Sequence, residues 1–438
     1  MRSTTLSLSL VALFSLSACT AAPLPEESEE VAEAGQSLIK AYPCPVAAFP
    51  FLIFQTGGQD CDGDELTNAA EDAQGTLHAD YDTDDDGLPD GWEVNGHDHG
   101  ATYGFIDYPA AFGTDPLKRD LLVEIDYHDY TDVAGVHHSA LPSDAVQEKL
   151  VEYYESLPIS NPDGSLGIHL VLVPDELLGE GNGLIDVVAA GVTPAAFDCY
   201  VDPNSAAGDH SQHAYPRETF RKLTICIGAA RGNGVIAGIS VKYRTADTNT
   251  DPLDDWTETA QHTNYRLFLH EIGHSLGLLH GGNENMNYKV NYPSVMNYRY
   301  TDSLCNSPKT LLDTDIGYST GEMPALDACV LPEIDAFPGL TAADVCFLGD
   351  GDPAAAATYD QPYTYQVTPT GKINVDWNRN GVKNAGTVVG AISDASTAGC
   401  AAGGSVLVED FDDLARIAQC MSKPLLEEQG QTPPAGCP

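Results

Sequence analysis

His270-Glu271-Ile272-Gly273-His274-Ser275-Leu276-Gly277-Leu278-Leu279-His280 places three imidazoles and one carboxylate where a helix and the turn after it bring them to one point. Residues four apart on an α-helix lie about 40° apart around its axis, so His270 and His274 share a face and Glu271 sits beside them. Gly277 lets the backbone turn and return His280 as a third nitrogen donor. Three protein ligands with one open position make a catalytic rather than a closed structural Zn2+ site. Zinc lowers the pKa of its bound water from about 15.7 to near 7 and polarises a carbonyl. Glu271, near the metal but not on it, is the expected general base. Leu269, Ile272 and Leu276 recur at offsets of three and four, an apolar stripe on a different face, with Thr263 or Asn264 as the expected helix cap.

His-Glu-x-x-His alone arises by chance in roughly a few per cent of chains this long, and Gly277 with His280 lowers that to roughly one in ten thousand. Tyr292-Pro293-Ser294-Val295-Met296-Asn297-Tyr298 follows at a distance that makes a second, linked signal. Together the two stretches resemble the long zinc motif and Met-turn of the metzincin metallopeptidases. That resemblance implies a zinc endopeptidase acting on protein or peptide substrates, with His270, His274 and His280 as ligands and Glu271 as base. It also implies that Met296 forms an apolar floor under the metal and that Tyr298 approaches the zinc or the oxyanion. The alternative is an inactive calcium-binding surface adhesion or scaffold lipoprotein, against which the intact Glu271 argues.

The expected fold is α+β, a metzincin-like catalytic domain built on a twisted mixed sheet with an active-site helix. Asp120–Tyr127 alternates as a strand, Ser143 caps a helix running through Leu157, and Ile168–Val173, Leu223–Ile227 and Val235–Tyr243 read as further strands. The resemblance makes Val235–Tyr243 the edge strand along which an extended peptide pairs.

An acidic segment precedes this region. Asp82, Asp84, Asp86, the Leu88 carbonyl, Asp90 and Glu93 occupy the ligand positions of a twelve-residue Ca2+ loop, with Gly87 at its turn. Asp60, Asp62, Asp64, Leu66, Asn68 and Glu71 make a weaker copy with Glu65 in place of the glycine, and the pair resembles thrombospondin type 3 calcium repeats. Asp376-Trp377-Asn378-Arg379-Asn380-Gly381 begins like a third loop but reaches Thr387 where a glutamate is needed. Without a cation, such dense carboxylates repel one another. The pairs His97 and His99, His137 and His138, and His210 and His213 read as surface groups.

Met1-Arg2, an apolar stretch over Leu6–Leu16 and Leu16-Ser17-Ala18-Cys19 resemble a bacterial lipoprotein signal, implying export to an outer membrane or cell surface through a lipid on Cys19. A cut after Ala22 implies soluble secretion instead. Besides Cys19, ten cysteines remain, an even set compatible with five disulfides; Cys199 and Cys226 are close enough in sequence to pair locally, and Cys44 is either a disulfide partner or an inhibitory thiol on the zinc. The chain is read as a signal peptide over 1–18, an acidic tether over 19–55, a calcium-loop region over 56–115, the catalytic domain over 116–304 and a disulfide-rich C-terminal subdomain over 305–438. Sixty-five acidic against twenty basic residues give a formal net charge of −45, which disfavours nucleic acid and direct electrostatic contact with anionic membranes.

Overall fold

The central strand, β1 (Asp120–Thr131), alternates so regularly that its two faces belong to different cores. Leu121, Val123 and Ile125 enter the main core, whereas Leu122 enters a smaller one with Leu88, Trp92, Ile106, Tyr108 and Phe220. The computed structural model describes residues 58–131, 137–139, 141–178, 219–226, 239–242, 258–299, 317–342, 344–349, 355 and 357–421. These lie in one compact unit, Ile53–Pro438. The expected signal segment with Cys19, the tether, Cys44, Cys199, His210 and His213 lie outside the described residues.

Around β1 the sheet is mostly parallel. β2 (His137–Ser139) pairs antiparallel with its last residues, β3 (His169–Leu178) runs parallel along Asp120–His128, and β4 (Arg221–Cys226) runs parallel on the opposite edge. β5 (Ile239–Lys242) lies parallel outside β4 and, among the described residues, pairs with no other strand. The rest of the expected Val235–Tyr243 strand is not described. Helix α1 (Asn68–Gln74) precedes the Asp82 loop, and α2 (Asp90–Asn95) begins inside it.

Two longer helices cover the main-core face of the sheet. In α3 (Asp144–Glu155) the Ser143 hydroxyl accepts from the Val146 amide at 3.3 Å, the expected cap, and Val146, Leu150, Tyr153 and Tyr154 are buried. Helix α4 (Glu258–Ser275) carries the His-Glu-x-x-His stretch and starts before Thr263 and Asn264, so neither caps it. Its buried stripe is the expected Leu269 and Ile272 with Phe268, and Leu276 continues it one residue past the helix end. Each such side chain contributes about 1.5–3 kcal/mol by leaving water, enough to hold a helix whose Thr, Asn, His and Gly residues have modest helix propensity.

The main core does not stop at residue 304. Leu331, Phe337, Trp377, Val408 and Ile417 belong to the same cluster as Ile272 and Met296. The later segment consists of short antiparallel ladders, among them Leu326–Asp327 with Leu407–Val408, and ends in helix α5 (Asp413–Cys420). A disulfide joins Cys329 to Cys400, and Cys61 and Cys420 are also disulfide-bonded.

Candidate metal centre

Helix α4 ends just after its second histidine, and that ending returns the third. The Leu278 amide donates to the Gly273 carbonyl at 3.0 Å and the Gly277 amide to His274 at 3.1 Å, with Gly277 at φ 84°. A side chain is strained at that φ, so glycine suits the position. A tight turn over Leu279–Gly282 then presents His280. One ring nitrogen from each of His270, His274 and His280 lies within 4.8 Å of the others, close enough to share one ion.

Two of the rings are oriented from behind by main-chain carbonyls. His270 Nδ1 contacts the Val295 carbonyl at 2.8 Å and His274 Nδ1 the Leu278 carbonyl at 2.7 Å. A carbonyl only accepts, so each Nδ1 carries the hydrogen and each Nε2 presents its lone pair to the shared point. Burial, reinforced by neighbouring imidazoles, holds His270 well below the usual histidine range and His280 at about 4; burial also lowers His274. Neutral imidazoles are the form that ligates zinc, so the donor set fits that metal.

Glu271 stands apart from the three rings. Its Oε2 is buried without a hydrogen-bond partner, and burial pushes the carboxyl up to about 8. Desolvation of this kind favours the protonated form of a carboxyl. Tyr298 is 43 % exposed, its ring 4.1 Å from that of His280 and 5.7 Å from that of His270, so it borders the site instead of packing in the core. Met296 is fully buried beneath Gly273: a methyl there would stand 2.5 Å from the Met296 sulfur and 2.9 Å from the Tyr318 ring.

Three supports of this centre have no signal in the local sequence. Lys289, 1 % exposed, donates to the Gly281 carbonyl at 2.9 Å and to Glu284 at 3.0 Å, fixing the turn after His280. Asp413, at the start of α5, accepts from the Tyr292 and Ser294 hydroxyls at 2.7 and 2.5 Å and from the Ser319 amide at 2.8 Å, anchoring the stretch that carries Val295 and Met296. Tyr318 donates to the Leu269 carbonyl at 2.7 Å, one residue before His270.

The acidic loops form a second and third cluster. Asp82, Asp84 and Asp86 each offer an oxygen within 4.8 Å of the others, as do Asp60, Asp62 and Asp64. Amides of Asp86, Gly87 and Leu88 donate to carboxylates of Asp82, Asp84 and Asp86, which closes the Asp82 loop on itself. Glu65 adopts φ 77° where Gly87 adopts 99°, so the weaker copy makes the same turn despite lacking the glycine. The Leu66 amide donates to Asp64 at 2.7 Å, and Asn68 and Glu71 are buried at the start of α1. The Asp376 segment also repeats the pattern: Asn380 and Gly381 amides donate to Asp376, and the Val382 amide to Asn380.

The donor chemistry fits Ca2+. Burial raises Asp82 to about 7, Asp64 to about 8, Glu71 to about 7 and Asp84 to about 12, with Asp86 and Glu93 well above the ordinary range. Both carboxylate oxygens of Glu71 and of Glu93 are buried without a hydrogen-bond partner. Hard oxygen donors packed this densely and left unpaired suit a divalent cation. Asp90 lies outside these groups and accepts from the Thr83 amide at 2.8 Å and hydroxyl at 2.6 Å. His97 and His99 are not simple surface groups: the His97 ring stacks on Trp92 at 3.9 Å, and His99 reaches the Tyr108 hydroxyl at 2.8 Å.

Comparisons with family models, with curated proteins and with solved structures find no match, so the reading of the site rests on its own chemistry.

Proposed function

We propose that this chain is a zinc-dependent endopeptidase of the metzincin kind, stabilised by calcium in its acidic loops. The observation that carries the reading is the convergence of three neutral imidazoles, two with Nδ1 committed to carbonyls, with the next residue after the first of them, Glu271, outside that donor group and its Oε2 buried without a hydrogen-bond partner. His270, His274 and His280 would hold zinc, which would supply Lewis acidity at a peptide carbonyl. Glu271 takes the proton from the attacking water and returns it to the departing amine. Tyr298, exposed and with its ring beside that of His280, would donate a hydrogen bond to the substrate oxygen that gains charge. In this reading an extended peptide pairs along the outer edge of β5, which among the described residues pairs with no strand but β4. In the same reading the chain is exported and held at a bacterial outer membrane or cell surface by a lipid on Cys19.

Casein hydrolysis by the purified chain tests this, measured with and without a zinc chelator and in Glu271→Gln. We expect activity to vanish with chelator, to return with added zinc and to fall by at least about a hundredfold in the variant. Equal hydrolysis in all samples would end the peptidase reading.

A further inference from the structure

Given the calcium reading of the Asp82 loop, we propose that Asp120, the first residue of the central strand, is a ligand of the same ion and that the ion staples the acidic segment to the sheet. The twelve-residue loop pattern ends at Glu93, and Asp120 lies far outside it. The fold nevertheless brings one oxygen each of Asp86, Glu93 and Asp120 within 4.8 Å of one another, and Asp86 also belongs to the Asp82, Asp84 and Asp86 group. The result is one continuous pocket of five carboxylates, all buried.

Two of these groups point to a cation ligand independently of the loop's shape. Glu93 is 1 % exposed and neither of its carboxylate oxygens has a hydrogen-bond partner; Asp84, also 1 % exposed, leaves its Oδ2 unpaired. Placing Glu93 against Asp86 and Asp120, with the His169 ring beside Asp120 as the basic group in contact, is costly, whereas a divalent ion between the carboxylates satisfies them.

Asp120 is held ready for such a role. Its amide donates to Asp86, its Oδ2 accepts from the Asp115 amide at 2.9 Å, and its Oδ1 meets His169 Nδ1 on β3. Each carboxylate oxygen has two lone-pair directions, so these contacts orient the group and leave it able to bind. Asp90, the loop's ninth residue, is engaged by Thr83 and belongs to neither of the two carboxylate groups of this pocket, whereas Asp120 belongs to one of them and takes its place among the ligands. Leu122 packs beside Leu88 and Trp92 on the same face, so the staple sits where the acidic segment already touches the strand. Binding of the ion therefore orders the first turns of β1 and β3 as well as the loop.

Calcium titration by calorimetry on the full chain, without any activity readout, tests the assignment. Asp120→Asn should weaken the site that Asp82→Asn abolishes by about ten- to hundredfold and leave the site that Asp62→Asn abolishes unchanged. In the wild-type chain, chelating calcium should speed amide hydrogen exchange at 120–123 and 169–172, a measurement that decides the matter even if Asp120→Asn fails to fold. Wild-type calcium affinity in Asp120→Asn, or strand exchange indifferent to calcium while the Asp82 loop responds, would overturn the staple and leave the calcium loops standing. A wild-type chain that binds no calcium would overturn the staple and the calcium reading together, and neither result touches the peptidase reading.

Discussion

Asp413→Asn should change stability in a pH-dependent way that the wild type reveals by contrast. The Asp413 carboxyl is fully buried beneath the Met296 segment, and burial pushes it up to about 7 against the pull of its three donors. In the unfolded chain the same group titrates near 4. A carboxyl with a raised folded pKa contributes stability that is complete below the unfolded value and lost as pH rises through the folded one. The slope is about 1.4 kcal/mol per pH unit while only the unfolded chain has lost the proton, so roughly two units between pH 5 and 7 remove about 3 kcal/mol. Asparagine does not titrate. It keeps one acceptor oxygen for three donors, which costs about 1–3 kcal/mol at all pH values. The variant should therefore be clearly weaker than wild type at pH 5 and should close the gap, or reverse it, by pH 7.5. Denaturant unfolding of both chains in saturating calcium at the two pH values measures the difference. A wild-type-minus-variant gap that stays constant from pH 5 to 7.5 would refute the buried, protonatable anchor.

Calcium removal should matter more as pH rises. Asp82, Asp64 and Glu71 have folded values of about 7, 8 and 7, so in chelator the melting temperature should fall between pH 5 and 8, while saturating calcium flattens or reverses the slope; parallel slopes with and without calcium would count against cation binding. Gly91→Ala should separate the two acidic loops, because its methyl would stand 2.0 Å from the Asp64 carbonyl oxygen, a backbone atom. We expect a loss of at least about 1–3 kcal/mol in calcium-loaded protein, read by denaturant unfolding, and an unchanged midpoint would show that the loops do not interlock there. Lys289→Met should leave the Gly281 carbonyl and Glu284 without their buried donor, costing about 1–3 kcal/mol and weakening zinc retention against a competing chelator. Wild-type retention would mean that the turn carrying His280 holds itself.

What could be read in the sequence and what could not divide along one physical line, the distance over which a residue's role is set. His270, His274 and Glu271 are legible because four residues of helix carry their relation, and Gly277 because a left-handed turn needs it. Likewise the Asp82 loop is closed by hydrogen bonds spanning two to five residues. Leu121 through Ile125 are legible as a strand, although their alternation does not say that each face has its own core. The opposite case is the partner of His270, the Val295 carbonyl: every residue type has that group, so no side-chain pattern announces it. Asp413 and Lys289 are ordinary charges in ordinary surroundings until tertiary packing buries them against Ser294 and Gly281. His97 fails as a surface prediction for the same reason, since Trp92 looks like a loop aromatic until its ring stacks on the imidazole. The boundary expected at 304 rests on cysteine density, which reports on crosslinks. Burial is a different property, and Asp413 shows the consequence: a residue far beyond that boundary holds up the segment on which Val295 orients His270.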